Sequence, residues 1–309
     1  MNVATIFLLH FDLRFGTFYY EDGGISILSD FIINALGALI GVLGGLWIYY
    51  LQKWRQQKDT LKYVVSLIES VIAHSKTQAS NCKDLAAELR KRPTDYHMLS
   101  FEANHDLKRL ADKLNQENFY HSYLGEYKRK PESYSTFKKI YSEIDFLDQI
   151  IDQLKSYIEK EFYYIVEMKK KFVDFLEEGE AKSALLTVHP NYINQEQIVV
   201  FLNSALMKFR QNMQDPNDVD YPLKEFITPV KNFLAKYHFT KPECNDIVSL
   251  LKKAETRHMI VVSKSEALAN ELENYYHKKL MEHANKLEKI TITLKKDFGK
   301  TVTALHNLI

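Results

Sequence analysis

The stretch Tyr127, Lys128, Arg129, Lys130, followed by Tyr134, Phe137, Lys138 and Lys139, mixes cations with aromatic rings. A cation neutralises phosphate and a ring face stacks a base. The combination therefore suits an anionic ligand with stackable bases, a nucleotide or a short oligonucleotide. The competing reading is plain packing, because aromatic rings at helical spacing commonly belong to a core. Elsewhere the cations come in short runs, such as Arg90-Lys91-Arg92, Lys169-Lys170-Lys171 and Lys295-Lys296, which read as solvated helix faces.

Reaction chemistry is hard to find in the chain. It has no glycine-rich phosphate loop, no His-Glu-x-x-His and no nucleophile elbow. His277 and His283 are six apart and do not share a helix face. Cys82 and Cys244 lie far apart, without metal-ligand spacing, and read as buried thiols in a reducing cytoplasm. Arg92-Pro93-Thr94-Asp95-Tyr96-His97 resembles, in spacing only, the Arg-x4–6-His signature of the helical HEPN ribonucleases. That family sets the pair on a helix, whereas Pro93 here marks a helix break. The expectation is a protein that is not an enzyme, with no catalytic residue, no metal site and no cofactor.

What must position the ligand-binding residues is set by a different feature. Residues 31–51 are 21 residues without a charge, FIINALGALIGVLGGLWIYYL. As a helix the run is roughly 31 Å long, about the hydrocarbon thickness of a bilayer. A secretory signal would have a basic start and a shorter apolar stretch, so a retained transmembrane helix is expected. Gly37, Gly41 and Gly45 recur every fourth residue and share a stripe with Asp30 and Asn34. Ile32, Leu36, Leu39, Leu43, Leu46 and Tyr50 fall opposite. Small residues let helix backbones approach, so the stripe reads as a face that packs on other copies. Asp30 and Asn34 would then face a bundle interior or a water-filled pore. The alternatives are a hydrated, helix-capping Asp30, an interhelical hydrogen bond at Asn34, and packing without conduction.

The flanks give an orientation. Lys53, Arg55, Lys58 and Lys62 follow the run, while Arg14 alone precedes it among Asp12, Glu21, Asp22 and Asp30. By the positive-inside rule the N-terminus is outside and the C-terminal part cytoplasmic, in a bacterial inner membrane spanned once. Formal net charge is +1 overall, which leaves +4 after residue 51, too mild to declare a nucleic-acid protein from charge alone.

Beyond residue 51 the hydrophobic period is helical. Leu61, Val65, Ile68, Ile72, Ser75, Ala79, Cys82, Ala86 and Leu89 alternate steps of four and three, a coiled-coil seam that could continue the span as one rod. A second seam, Phe137, Tyr141, Ile144, Leu147, Ile151, Leu154, Ile158, Ile165, Phe172 and Leu176, predicts a long helix from Pro131 to Gly179. Residues 101–123 read as helix, 179–193 as a linker, 195–213 as helix and 215–222 as a turn-rich loop. A helix over 223–237 is interrupted by Pro229, and the breaker-free stretch 243–298, including Met259-Ile260-Val261-Val262, reads as helix. The fold class is all-α: a single N-terminal transmembrane helix continuing into a long-helix cytoplasmic bundle or coiled coil. The division is 1–24 outside, 25–53 transmembrane, 54–180 stalk or bundle, and 181–309 C-terminal helical domain.

In organisation, and in Gly37, Gly41 and Gly45, the chain resembles the membrane-spanning effectors of bacterial anti-phage defence systems. The resemblance implies a homo-oligomer that responds to a nucleotide or oligonucleotide signal through a cytoplasmic helical domain and breaches the lipid bilayer. The expected function is a ligand-gated pore or membrane-disrupting effector. Its rival is a passive membrane-anchored helical scaffold that recruits a partner protein, and a helical ribonuclease is third.

Overall fold

The structure is a computed structural model that describes residues 24–111, 113–126, 131–192, 196–213, 218–237 and 241–306. It is all-helical, 90% helix, with no strand among the described residues. The chain divides into two compact units, Met1–Gln56 and Gln57–Ile309. Helix α1 is Gly24–Lys91, 68 residues without interruption. It is followed by α2 (His105–Ala111), α3 (Lys113–Glu126), α4 (Pro131–Val188) and α5 (Glu196–Asn212). Then come α6 (Asp220–Pro222), a π-helical turn (Leu223–Ile227), α7 (Thr228–Leu234) and α8 (Pro242–Glu271). A second π-helical turn (Leu272–His277) leads into α9 (Lys278–His306).

In the first unit, α1 contains a helix long and apolar enough to cross a membrane. None of residues 31–51 is buried. Phe31, Trp47 and Ile40 are 72%, 69% and 66% exposed, so this is not the core helix of a soluble fold. The expected outer segment lies, but for Gly24, outside the described residues.

The second unit has two hydrophobic cores. The first takes Leu61 to Leu89 of α1, the N-terminal part of α4, α2, α3, the C-terminal part of α8, and α9. The second takes Phe172, Leu176 and Leu186 of α4, α5, Phe226 and Ile227, α7, and the N-terminal part of α8. Helices α4 and α8 pass through both and pack on each other. All nine positions of the first seam are buried. In the second seam Phe137 alone is partly exposed. Cross-links between distant segments tie α1 to the C-terminal helices. Arg90 meets Glu273 at 2.6 Å, Lys76 meets Glu288 at 2.8 Å, and His277 Nδ1 lies 2.9 Å from the Ala79 carbonyl.

Helix ends follow local chemistry. Pro93 stops α1, whose last turn carries Arg90 and Lys91 at the negative end of the dipole. Prolines open α4 and α8, where a missing N–H costs nothing. The helix expected over 101–123 begins only at His105, because Asn104 accepts from the Leu107 N–H at 3.1 Å as an N-cap. The preceding strap is pinned by Gln78, which donates to the Ser100 carbonyl and accepts from the Glu102 N–H. Pro229 is accommodated without ending the helix. The π-helical turn just before it bonds the Thr228 N–H to Leu223 O, loosening the ladder a proline would otherwise break.

The expected linker over 179–193 is corrected by the structure: α4 runs through Gly179 to Val188. Leu251 of α8 sits where a Cβ at position 179 would be, 2.8 Å from it. The Ser183 hydroxyl donates to the Gly179 carbonyl at 2.7 Å. Glycine therefore serves here as a close-approach point between helices, and its helix-breaking tendency of about 1 kcal/mol is overridden by packing. Gly179→Leu should separate α4 from α8 and destabilise the second unit by about 1–3 kcal/mol, read from urea denaturation of detergent-solubilised protein. Unchanged stability would show that the approach at Gly179 is not tight.

Candidate functional site

The expected site residues fall in two places. On α1, Asn34, Gly37 and Gly45 are exposed, and the space where a Cβ would stand at Gly37 and Gly45 is open. Asp30 lies in the helix before them, Gly41 between them. Asn34, Gly37 and Gly45 therefore lie on an accessible helix face in the single chain.

The second place is α4. Tyr127, Lys128, Arg129 and Lys130 lie outside the described residues. Lys138 does line a concave site, whereas Lys139 is exposed and outside it. The site is a groove of about 480 Å³ lined by Gln116 of α3 and by Tyr134, Phe137, Lys138, Tyr141, Ser142, Asp145, Phe146 and Gln149 of α4. The α4 residues step by threes and fours, so they form one face of that helix. That volume is within the range of small-molecule sites, about 300–1,000 Å³.

The floor of the groove is aromatic. Phe137 stands 4.8 Å from Tyr141, 5.0 Å from Tyr120 and 5.5 Å from the fully buried Phe119, centroid to centroid. Phe137 therefore both packs against the core and lines the groove. At the far end Phe146 stacks on His283 of α9 at 5.1 Å, and His283 Nδ1 lies 2.5 Å from Glu143. That part-buried pair backs Phe146. Tyr141 is 8% exposed, and its hydroxyl has no hydrogen-bond partner. Burial, and then the carboxylate of Asp145, push its phenol above the usual tyrosine range. It therefore stays protonated, able to donate and to accept.

Sequence reasoning missed Gln116, Ser142, Asp145, Phe146 and Gln149, which become one wall only when α3 lies against α4. It also missed a polar cluster where the two cores meet. The Thr94 hydroxyl donates to Asp220 at 2.7 Å, and Asp220 lies 2.5 Å from His258 Nε2. Ser265 donates to the Pro93 carbonyl at 2.7 Å. Lys169, expected on a solvated face, is buried instead. It donates to the Asp95 carbonyl at 3.0 Å and sits 4.1 Å over the Tyr96 ring. These named groups all have partners, so the cluster reads as a joint between cores.

The Arg92 guanidinium pairs with Asp95 at 3.2 Å, while His97 Nε2 meets the Arg92 carbonyl at 2.6 Å. The two side chains thus have separate partners and do not act on a common point. Burial pushes the Cys82 thiol up to about 12 and raises Cys244 as well, so both are poor nucleophiles. Among the described residues no group of three or more His, Cys, Asp or Glu is placed to hold a metal. Comparison with family models, curated proteins and solved structures finds no match.

Burial holds the Lys169 ammonium below the usual lysine range, against the pull of Asp95 and Asp220. Between its folded pKa and the unfolded value of about 10.4, the unfolded chain binds more protons, so this group makes stability rise with pH there. The stability of wild type relative to Lys169→Met should therefore increase as pH is raised from neutral into that alkaline window. Urea titrations across the range read it, and a flat difference would mean that Lys169 is hydrated.

Proposed function

We propose that the chain is a homo-oligomeric membrane effector, a ligand-controlled pore or membrane-disrupting protein, whose cytoplasmic helical bundle senses the ligand. One observation carries the reading. The apolar face of residues 31–51 is wholly unburied in the single chain, and the small, polar stripe Asn34, Gly37, Gly45 beside it is open. An apolar surface of that extent, on a helix long enough to cross a membrane, supports a position in lipid. The stripe is of the kind that helices use to pack on one another in a membrane. Lys53, Arg55, Lys58 and Lys62 support a cytoplasmic position for the helical unit in a bacterial inner membrane. Asn34 would offer ions a polar ring among apolar neighbours. The organisation resembles anti-phage membrane effectors, and defence is the role this reading favours.

Because the positions of Gly37 and Gly45 are unobstructed in one chain, leucines there should spare the protomer and act on assembly. The double variant Gly37→Leu/Gly45→Leu is expected to lower the detergent-solubilised mass toward that of a monomer, measured by light scattering. A wild-type mass would remove the stripe from the interface.

Expression of the wild type should depolarise bacterial cells, read with a potential-sensitive dye, and Asn34→Leu should reduce the signal while leaving the oligomer intact. Depolarisation at wild-type level would take Asn34 out of the pore. A wild type that never depolarises, with or without nucleotides supplied, would favour a membrane-anchored scaffold.

A further inference from the structure

Helix α9 and the π-helical turn before it run back along α1. His277 meets the Ala79 carbonyl, Glu288 meets Lys76, and Lys295 pairs with Glu69, so rising numbers in one helix face falling numbers in the other. At the start of the second unit the two helices border a groove of about 320 Å³. It is lined by Lys58, Leu61, Lys62, Val65, Ser66 and Glu69 of α1 and by Lys295 of α9. The α1 residues recur at steps of three and one, so they form one face of that helix. Leu61 and Val65 are buried and give the groove an apolar floor. Lys62, Ser66, Glu69 and Lys295 are exposed around it, and Lys58 is half-buried. Three ammonium groups thus stand against one carboxylate, and Lys295 already engages that carboxylate. Asp59 is exposed and does not line the groove. Lys296 and Asp297, whose side chains lie outside the described residues, add one charge of each sign.

Place in the chain selects among anions. Trp47, Tyr49, Tyr50 and Trp54 close the apolar run as an interfacial belt does. Lys58 follows Trp54 by four residues within the uninterrupted helix α1, about 6 Å of rise. Lipid headgroups occupy roughly the 5–8 Å beyond the hydrocarbon. Side chains lean toward the N-terminus of their helix, so Lys58 and Lys62 lean back toward the apolar run. A nucleotide would find no aromatic ring in this lining on which to stack a base. A phosphodiester needs only the ammonium groups and a hydroxyl.

We infer that this groove binds the headgroup of an anionic phospholipid. The phosphodiester lies among the ammonium groups of Lys58, Lys62 and Lys295, the Ser66 hydroxyl donates to it, and the glycerol backbone covers Leu61 and Val65. A zwitterionic headgroup carries its own ammonium, which the lysines repel. Because the groove draws on both α1 and α9, a bound lipid ties the C-terminal helix to the helix that carries the span. This rests on the membrane reading above and names the lipid class. It does not depend on conduction or on the groove on α4.

The test offers the delipidated full chain, in detergent, equal amounts of phosphatidylglycerol and phosphatidylcholine and reads retained lipid by native mass spectrometry. The wild type should prefer phosphatidylglycerol about tenfold, and Lys58→Gln/Lys62→Gln should cut that preference about fivefold. Lys53→Gln/Arg55→Gln removes two charges nearer the apolar run and leaves the groove intact, so it should lower the preference about twofold at most. Equal losses from the two pairs would reveal general attraction of a basic segment and overturn the inference. Lys62→Gln alone, at an exposed position, should keep the lipid-free melting temperature and still lower the preference. Phosphatidylglycerol should raise the wild-type melting temperature, and millimolar inorganic phosphate at matched ionic strength should not. An equal rise with phosphate would make this a free-anion site and overturn the lipid assignment. A chain that retains both lipids equally loses the groove and keeps the membrane reading. A chain that stays soluble without detergent and retains neither lipid loses both.

Discussion

The packing of α4 along α8 is the constraint on which the second unit rests, because among the described residues these two helices alone contribute buried side chains to both cores. Helices α2, α3, α5 and α9 all touch α4, and α7 touches α8. The pair is brought close at Gly179, where a side chain would occupy the place of Leu251. One ion pair, Lys264 with Glu161 at 3.4 Å, also crosses it. A helix of 58 residues has no means of staying straight on propensity alone. Its stability comes from the apolar seam it buries, so the seam and the partner that covers it are one structural fact.

Where the two cores meet, the interior changes character. Thr94, His258, Ser265 and Lys169 are buried there, and the exposed Asp220 partners Thr94 and His258 from the rim. A buried ammonium is expensive, and Lys169 is tolerated because a carbonyl, a ring face and two nearby carboxylates surround it. Such groups add little net stability over an apolar filling, but each demands a specific partner, and here the partners come from separate stretches of chain. The cluster therefore sets how α4, α8 and the 93–97 turn are aligned more than how tightly they hold.

The seams were legible because their period depends only on neighbours three and four residues away along one helix. Leu61 to Leu89 and Tyr141 to Leu176 are buried as their spacing implied. The run Met259-Ile260-Val261-Val262 lies within α8 for the same reason, its helical surroundings outweighing the β-branched residues. What failed was everything that depends on a second helix. Gly179 looked like a stop because Leu251 is 72 residues away in sequence. Lys169 looked solvated because Asp95 and Tyr96 lie in another segment. Of the proposed ligand residues, Lys138 stands in the groove and Lys139 beside it, since one residue rotates a side chain by about 100° around the helix. Asp145 and Phe146 were invisible as site residues, being ordinary helix positions until α3 and His283 flank them.

Two surfaces remain unsatisfied in the single chain, and their magnitudes assign them different roles. Fourteen large apolar or aromatic side chains between Phe31 and Leu51 are each at least 41% exposed. At about 25 cal/mol per Å² their exposure to water would cost on the order of 10–20 kcal/mol, comparable to the whole stability of a domain. No such surface is left open and closed by turns, so its covering is a condition of the protein's existence. The unpartnered hydroxyl of Tyr141, at about 1–3 kcal/mol, is far smaller and is of the size a packed core tolerates.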